Sequence, residues 1–144
     1  PPMAMTPDTL ATLHARCFTS MPPPWSAAGF AALLGDPHVV LRDDHLSRGF
    51  ALIRVIGDEA ELLTLAVDPT FRRNGIGRGL MERVDTCAQT RGAQKIFLEV
   101  AETNQAARAL YDTCGFRQVG RRPGYFRAPD AGAVAALILC KSLV

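Results

Sequence analysis

Arg72-Arg73-Asn74-Gly75-Ile76-Gly77-Arg78-Gly79 sets small residues among three arginines, just after the apolar run Leu62 to Val67 and at the opening of a helical pattern. Such a loop suits a diphosphate. The first N–H groups of a helix have no internal acceptor and carry the positive end of the dipole, and residues without bulk at Gly75 and Gly77 let an anion approach the backbone closely. Two other phosphate loops share part of this pattern. A Walker A loop requires a Lys after its second glycine, and none follows here. A dinucleotide fingerprint is better matched by Gly75 and Gly77, with Glu99 near the place of a ribose-binding acid. It fails because Leu80 stands at the third glycine and the stretch Asp68 to Asn74 separates the strand from the first. A purely structural loop remains the plain alternative.

A second chemical group lies in Lys95-Ile96-Phe97-Leu98-Glu99-Val100. Strand alternation puts Ile96, Leu98 and Val100 on one face and Glu99 on the other, beside Phe97. A carboxylate on a largely apolar strand is costly unless it borders a cleft, which makes Glu99 a candidate general base. Spacing equally allows a strand-end glutamate that pairs with a nearby arginine or caps the next helix.

The elements that must position these groups follow from periodicity and breakers. Thr6-Pro7 opens a first helix to about Phe18 along Leu10, Leu13, His14 and Cys17, and Met21 to Pro24 ends it. Ser26 caps a short second helix that Gly35-Asp36-Pro37 breaks. His38 to Arg42, Gly49 to Ile56 and Ala60 to Val67 predict three antiparallel strands. A helix follows from Gly75 to Arg91, then a strand at Lys95 to Val100, a helix at Thr103 to Thr113, and strands at Phe116 to Arg122 and Val134 to Ser142. A right-handed crossover makes strands 60–67 and 95–100 parallel neighbours.

Composition narrows the function classes. The 144 residues, 48% apolar, predict a single domain that buries about two thirds of its unfolded surface. A net charge of +2 argues against a strongly basic nucleic-acid binder. Cys17, Cys87, Cys114 and Cys140 contain no Cys-x-x-Cys pair, and His14, His38 and His45 have no ligand spacing, so no metal site and no disulfide framework is expected. The apolar run Ala131 to Cys140 is half of the ~20 residues a membrane helix needs. The expectation is a soluble cytoplasmic protein, monomeric or weakly dimeric, with no membrane or nucleic-acid partner.

Arg72-x-x-Gly75-x-Gly77 after Ala66-Val67-Asp68-Pro69 resembles the acetyl-CoA signature of the GNAT superfamily of N-acetyltransferases. The chain further resembles the bacterial ribosomal-protein-alanine N-acetyltransferases through Pro24-Trp25-Ser26, Leu98-Glu99-Val100, Asn104, Ala106, Ala109-Leu110-Tyr111, Gly115-Phe116, Gly120, Arg122 and Tyr125-Phe126. The element order also matches. The resemblance implies an α/β (α+β) GNAT fold: a mixed, mostly antiparallel sheet with a splayed parallel pair of central strands, flanked by helices. It implies Glu99 as proton acceptor and Tyr111 as proton donor, although Tyr111 also fits a core aromatic. The implied cosubstrate is acetyl-CoA, its pyrophosphate on Arg73, Asn74, Gly75, Ile76, Gly77 and Arg78. Its pantetheine arm would pair as an added strand with Leu65, Ala66 and Val67 and take a hydrogen bond from Asn104, which could equally be a helix cap.

Acyl transfer to an amine needs a base, donors for the oxyanion and an acid for the thiolate. The implied reaction is direct attack, in a ternary complex, by the N-terminal α-amine of a protein, alanine on a small-subunit ribosomal protein. Acetylation of a small-molecule amine and a catalytically silent acyl-CoA-binding module are the alternatives. One departure stands near the end, where the family commonly has an acid before Ala-Leu and this chain reads Ala135-Ala136-Leu137. Cys114 fits a packed thiol better than a nucleophile. Trp25, Tyr125 and Phe126 could pack the core and hairpin or wall the acceptor channel.

Overall fold

The computed structural model describes residues 5–18, 25–44, 46–72, 74–128 and 132–144. Two N-capped helices lead the chain. In α1 (Pro7–Cys17) the Thr6 hydroxyl accepts from the Thr9 N–H in a capping box with Pro7 in the first turn. In α2 (Ala27–Leu34) the Ser26 hydroxyl accepts from the Gly29 N–H at 3.0 Å. Leu10, Leu13, His14 and Phe30 are their buried residues, facing Phe50, Leu52 and Ala66 of the sheet.

Strands β1 (Val39–Asp43), β2 (Gly49–Ile56) and β3 (Glu59–Val67) form the expected antiparallel meander. A short 3-10 turn, Pro69–Phe71, carries the chain into α3 (Ile76–Thr90), whose Leu80, Met81, Val84, Cys87 and Ala88 are buried on the opposite sheet face. Then come β4 (Lys95–Ala101), α4 (Gln105–Thr113), β5 (Arg117–Ala128) and β6 (Gly132–Ser142). The sheet order is β1-β2-β3-β4-β6-β5.

Two features of this sheet shape the site. The parallel pairing of β3 with β4 covers only Glu59 to Glu61 against Lys95 to Phe97. Just beyond it, the register of β3 on β2 jumps so that Ile53 faces Leu62 and Leu52 faces Thr64, leaving Leu63 as an extra residue. A bulge of this kind bends its strand and increases its twist, which carries β3 away from β4. The expected splayed pair is therefore present, with the bulge as its local cause.

β5 differs from the expected strand Phe116 to Arg122 by running on to Ala128, with a register break between Arg122 and Phe126. Pro123 and Gly124, the latter at φ 63°, fall in that break, outside the paired positions. β6 lies inside it, and its Val134, Ala135, Ala136, Leu137 and Leu139 are buried. The more apolar of the last two strands takes the interior place, and the arginine-rich β5 takes the edge.

Candidate active site

Where β3 and β4 diverge, the wedge opens into a cleft of about 980 Å³. The β3 edge contributes Leu65, Ala66 and Val67, and the start of α3 contributes Gly75, Ile76, Gly77 and Arg78. β4 contributes Glu99, and α4 contributes Tyr111, with Asn104 at its start. The residues singled out in the sequence thus converge on one cavity from four elements. Asn74 is exposed and outside the lining, Arg72 is part of it, and Arg73 lies outside the described residues.

The open helix start of the loop has a clear local origin. Gly75 is the N-cap of α3 at φ 76°, a left-handed conformation that side-chain-bearing residues rarely adopt. Among the described residues no side chain caps the helix, and no acid stands in its first turn, so the N–H groups of Ile76, Gly77 and Arg78 precede the first helical bond, from the Gly79 N–H to the Gly75 carbonyl at 3.0 Å. Gly77 is small for packing. A Cβ there would lie 3.1 Å from Leu110 Cδ2 and 3.7 Å from Val67 Cγ2, so its absence lets α3 sit tightly against α4 and β3. Upstream, Asp68 accepts from the Thr70 N–H at 2.9 Å and pairs with Arg16 at 2.8 Å. The Thr70 N–H, with Arg16 beside it, holds the Asp68 carboxyl below the ordinary carboxylate range.

Glu99 combines both readings of its strand position. Its carboxylate lines the cleft, and its Oε1 lies 3.3 Å from Arg122 Nη2. Tyr111 is buried with its ring edge-on to Phe116 at 5.7 Å, so it is a core aromatic that also borders the cleft. Burial, with the Cys114 thiol nearby, pushes its phenol well above the ordinary tyrosine value, so it stays a proton-bearing group at neutral pH. Asn104 does cap α4, its Oδ1 accepting from the Ala107 N–H at 3.2 Å. Burial also pushes the Cys114 thiol up, as fits a packed thiol rather than a nucleophile.

A further wall comes from the N-terminal segment, of which the sequence singled out only Trp25 as a candidate lining residue. His14, Cys17, Phe18 and Trp25 line it. The Cys17 thiol donates to the Val67 carbonyl at 3.2 Å, tying α1 to the end of β3. His14 is fully buried, stacked on Phe18 at 4.4 Å and Trp25 at 5.0 Å, and its Nδ1 accepts from the Trp25 N–H at 3.2 Å. The apolar spacing of α1 hinted at this wall, and its aromatic partners come from the end of α1 and from the segment that leads into α2. Tyr125 and Phe126, T-shaped at 5.0 Å, close the remaining end from the register break in β5.

The sequence profile of the acetyltransferase (GNAT) family matches residues 8–116. The [ribosomal protein bS18]-alanine N-acetyltransferase of Salmonella typhimurium is 40% identical over 106 residues, covering 72% of this chain and 71% of that protein. The enzyme of the same name from Escherichia coli K12 is 36% identical over 118 residues, covering 81% and 79%. The crystal structure of the ribosomal-protein-S18-alanine N-acetyltransferase from Escherichia coli superimposes with a TM-score of 0.85 at 29% identity, over 99% of this chain and 92% of that one. Fold, cleft and these likenesses agree that the chain belongs to the acetyltransferase (GNAT) family.

Proposed function

We propose that this protein transfers the acetyl group of acetyl-CoA to the N-terminal α-amine of a protein, alanine of a small-subunit ribosomal protein, by direct attack in a ternary complex. One observation carries the reading. A carboxylate, Glu99, and a phenol, Tyr111, border the same cleft as an uncapped helix start and an unpaired strand edge. The activity named for the Salmonella and Escherichia relatives supports the acceptor class.

Each residue then has a defined task. The N–H groups of Ile76, Gly77 and Arg78, with the Arg72 and Arg78 side chains, hold the pyrophosphate. Pantetheine amides pair with the β3 edge beyond Glu61, and a backbone N–H near Val67 polarises the thioester carbonyl. Glu99, through water, takes the proton of the ammonium. An α-ammonium of pKa ~7.7 to 8.0 yields that proton far more readily than a lysine near ~10.4, so one carboxylate suffices. The amine nitrogen attacks the thioester carbon, the C–S bond breaks, Tyr111 supplies a proton to the departing thiolate, and the second proton shed by the nitrogen restores the phenol through water.

The test is thiol release from acetyl-CoA with a panel of peptides and small amines. Release with peptides that begin with alanine is the expected result. Release only with small amines, or acetyl-CoA binding without any turnover, would overturn the reading.

A further inference from the structure

Two arginines follow one another on β5 and make unlike ion pairs. Arg121 grips Glu102 with two contacts, Nε to Oε1 at 3.3 Å and Nη2 to Oε2 at 2.9 Å. Arg122 reaches Glu99 with one, Nη2 to Oε1 at 3.3 Å. The second pair is loose and wet, its side chains 53% and 28% exposed. A single exposed contact of this kind orients a carboxylate weakly and is easily exchanged. The Arg122 guanidinium also lies 5.3 Å from the centroid of the Tyr125 ring. It therefore touches both a carboxylate and an aromatic ring that line the cleft, while Arg122 itself lines an adjoining hollow. A carboxylate opposite a ring is a site for an organic cation.

We propose that the Arg122 guanidinium is a displaceable placeholder on Glu99 for the acceptor's ammonium group, released from that carboxylate when substrate enters. This rests on the reading of Glu99 as the base. An amine that gives its proton to Glu99 must approach as a cation, and the guanidinium already holds the carboxylate that such a cation needs. The space for withdrawal is also present. A second hollow of about 470 Å³ lies next to the cleft, shares Glu61, Leu98 and Glu99 with it, and has Arg122 in its own wall. Glu59 and Glu61 border that hollow, and among the described residues Glu61 pairs only with Arg54 at 3.6 Å, so the displaced guanidinium finds carboxylates there. An empty enzyme thus keeps its base neutralised by its own side chain, and acceptor binding includes the exchange of one cation for another.

Steady-state kinetics of Arg122→Gln with an alanine-initiated peptide test this. Removing an exposed competing cation should lower the acceptor KM about three- to fivefold, with kcat not reduced and the KM for acetyl-CoA unmoved. Guanidinium chloride at millimolar concentration should inhibit the variant competitively with the acceptor, and more strongly than it inhibits the parent enzyme. An unchanged acceptor KM, a fall in kcat that marks Arg122 as an orienting group, or a raised KM that marks it as an acceptor ligand would each overturn the placeholder. Failure of the parent enzyme to turn over any N-terminal peptide would instead reject the proposed function, and the placeholder with it.

Discussion

Glu99 and His14 line the same cleft, and in the proposed mechanism they have opposite electrostatic tasks, one to accept a proton and the other to stay neutral. Glu99→Gln keeps the shape of the wall and removes the acceptor of the proton. Turnover should fall about 10²-fold or more at neutral pH, while calorimetric affinity for coenzyme A stays near its original value, because the phosphate loop is untouched. An unaltered rate would dismiss Glu99 as the base. For His14, burial among Phe18, Trp25 and Phe30 lowers the imidazole from its ordinary 6.5 to about 4. Between those values the unfolded chain binds a proton that the folded chain refuses, so stability rises with pH across that window and this contribution is level above it. Acidification from pH 7 to pH 4 should cost up to ~3 kcal/mol through this one group. Urea midpoints measured across that range for the parent and for His14→Phe should differ in slope, the variant being the flatter; parallel curves would refute the assignment. The cleft-facing place of Glu99 was legible in the alternation of its strand. The burial of Tyr111 was legible as a core aromatic and that of His14 in the apolar spacing of α1, whereas the arrangement of Trp25 and Phe30 around His14 was not, since it depends on how α2 packs on α1.

The helix-start loop that holds the proposed diphosphate is an element-scale device, because its donors are backbone groups and its shape is set by one dihedral angle. Gly75 at φ 76° has open space around an added Cβ, so a substitution there meets conformational strain without a clash. Gly75→Ala should therefore destabilise by about 1 kcal/mol in chemical denaturation and weaken acetyl-CoA binding several-fold. Gly75→Asn should lose less on both measures, because asparagine visits the left-handed region more readily. Equal losses for the two variants would show that side-chain bulk rather than backbone conformation is what the loop refuses. Element boundaries marked by chemistry were legible: Thr6, Ser26 and Asn104 cap the helices expected after them, and Gly35 ends α2. β5 was read too short because Pro123-Gly124 signals a stop, whereas here the pairing resumes at Phe126 beyond a local break.

At the scale of the whole molecule, a sheet that holds together at one end and parts at the other is what makes room for a cosubstrate. The parallel neighbours β3 and β4 followed from the handedness of the crossover, which is a rule about chains in general. The insertion of β6 between β4 and β5, and the extra Leu63 that bends β3, depend on competition among strands for the interior and left no local mark. Their joint result is a stretch of β3 beyond Glu61 with no ladder partner toward β4 among the described residues. If pantetheine completes the sheet there, its amides must occupy backbone groups that water otherwise solvates. Hydrogen exchange should then slow at Leu65 to Val67 when acetyl-CoA is added, together with Ile76 to Arg78 at the helix start. The β1–β2 ladder, paired throughout with or without ligand, should change little. Protection confined to the helix start would place the diphosphate correctly and reject strand addition. Protection spread evenly over β1, β2 and β3 would mean that ligand only raises global stability by mass action, with no local completion of the sheet.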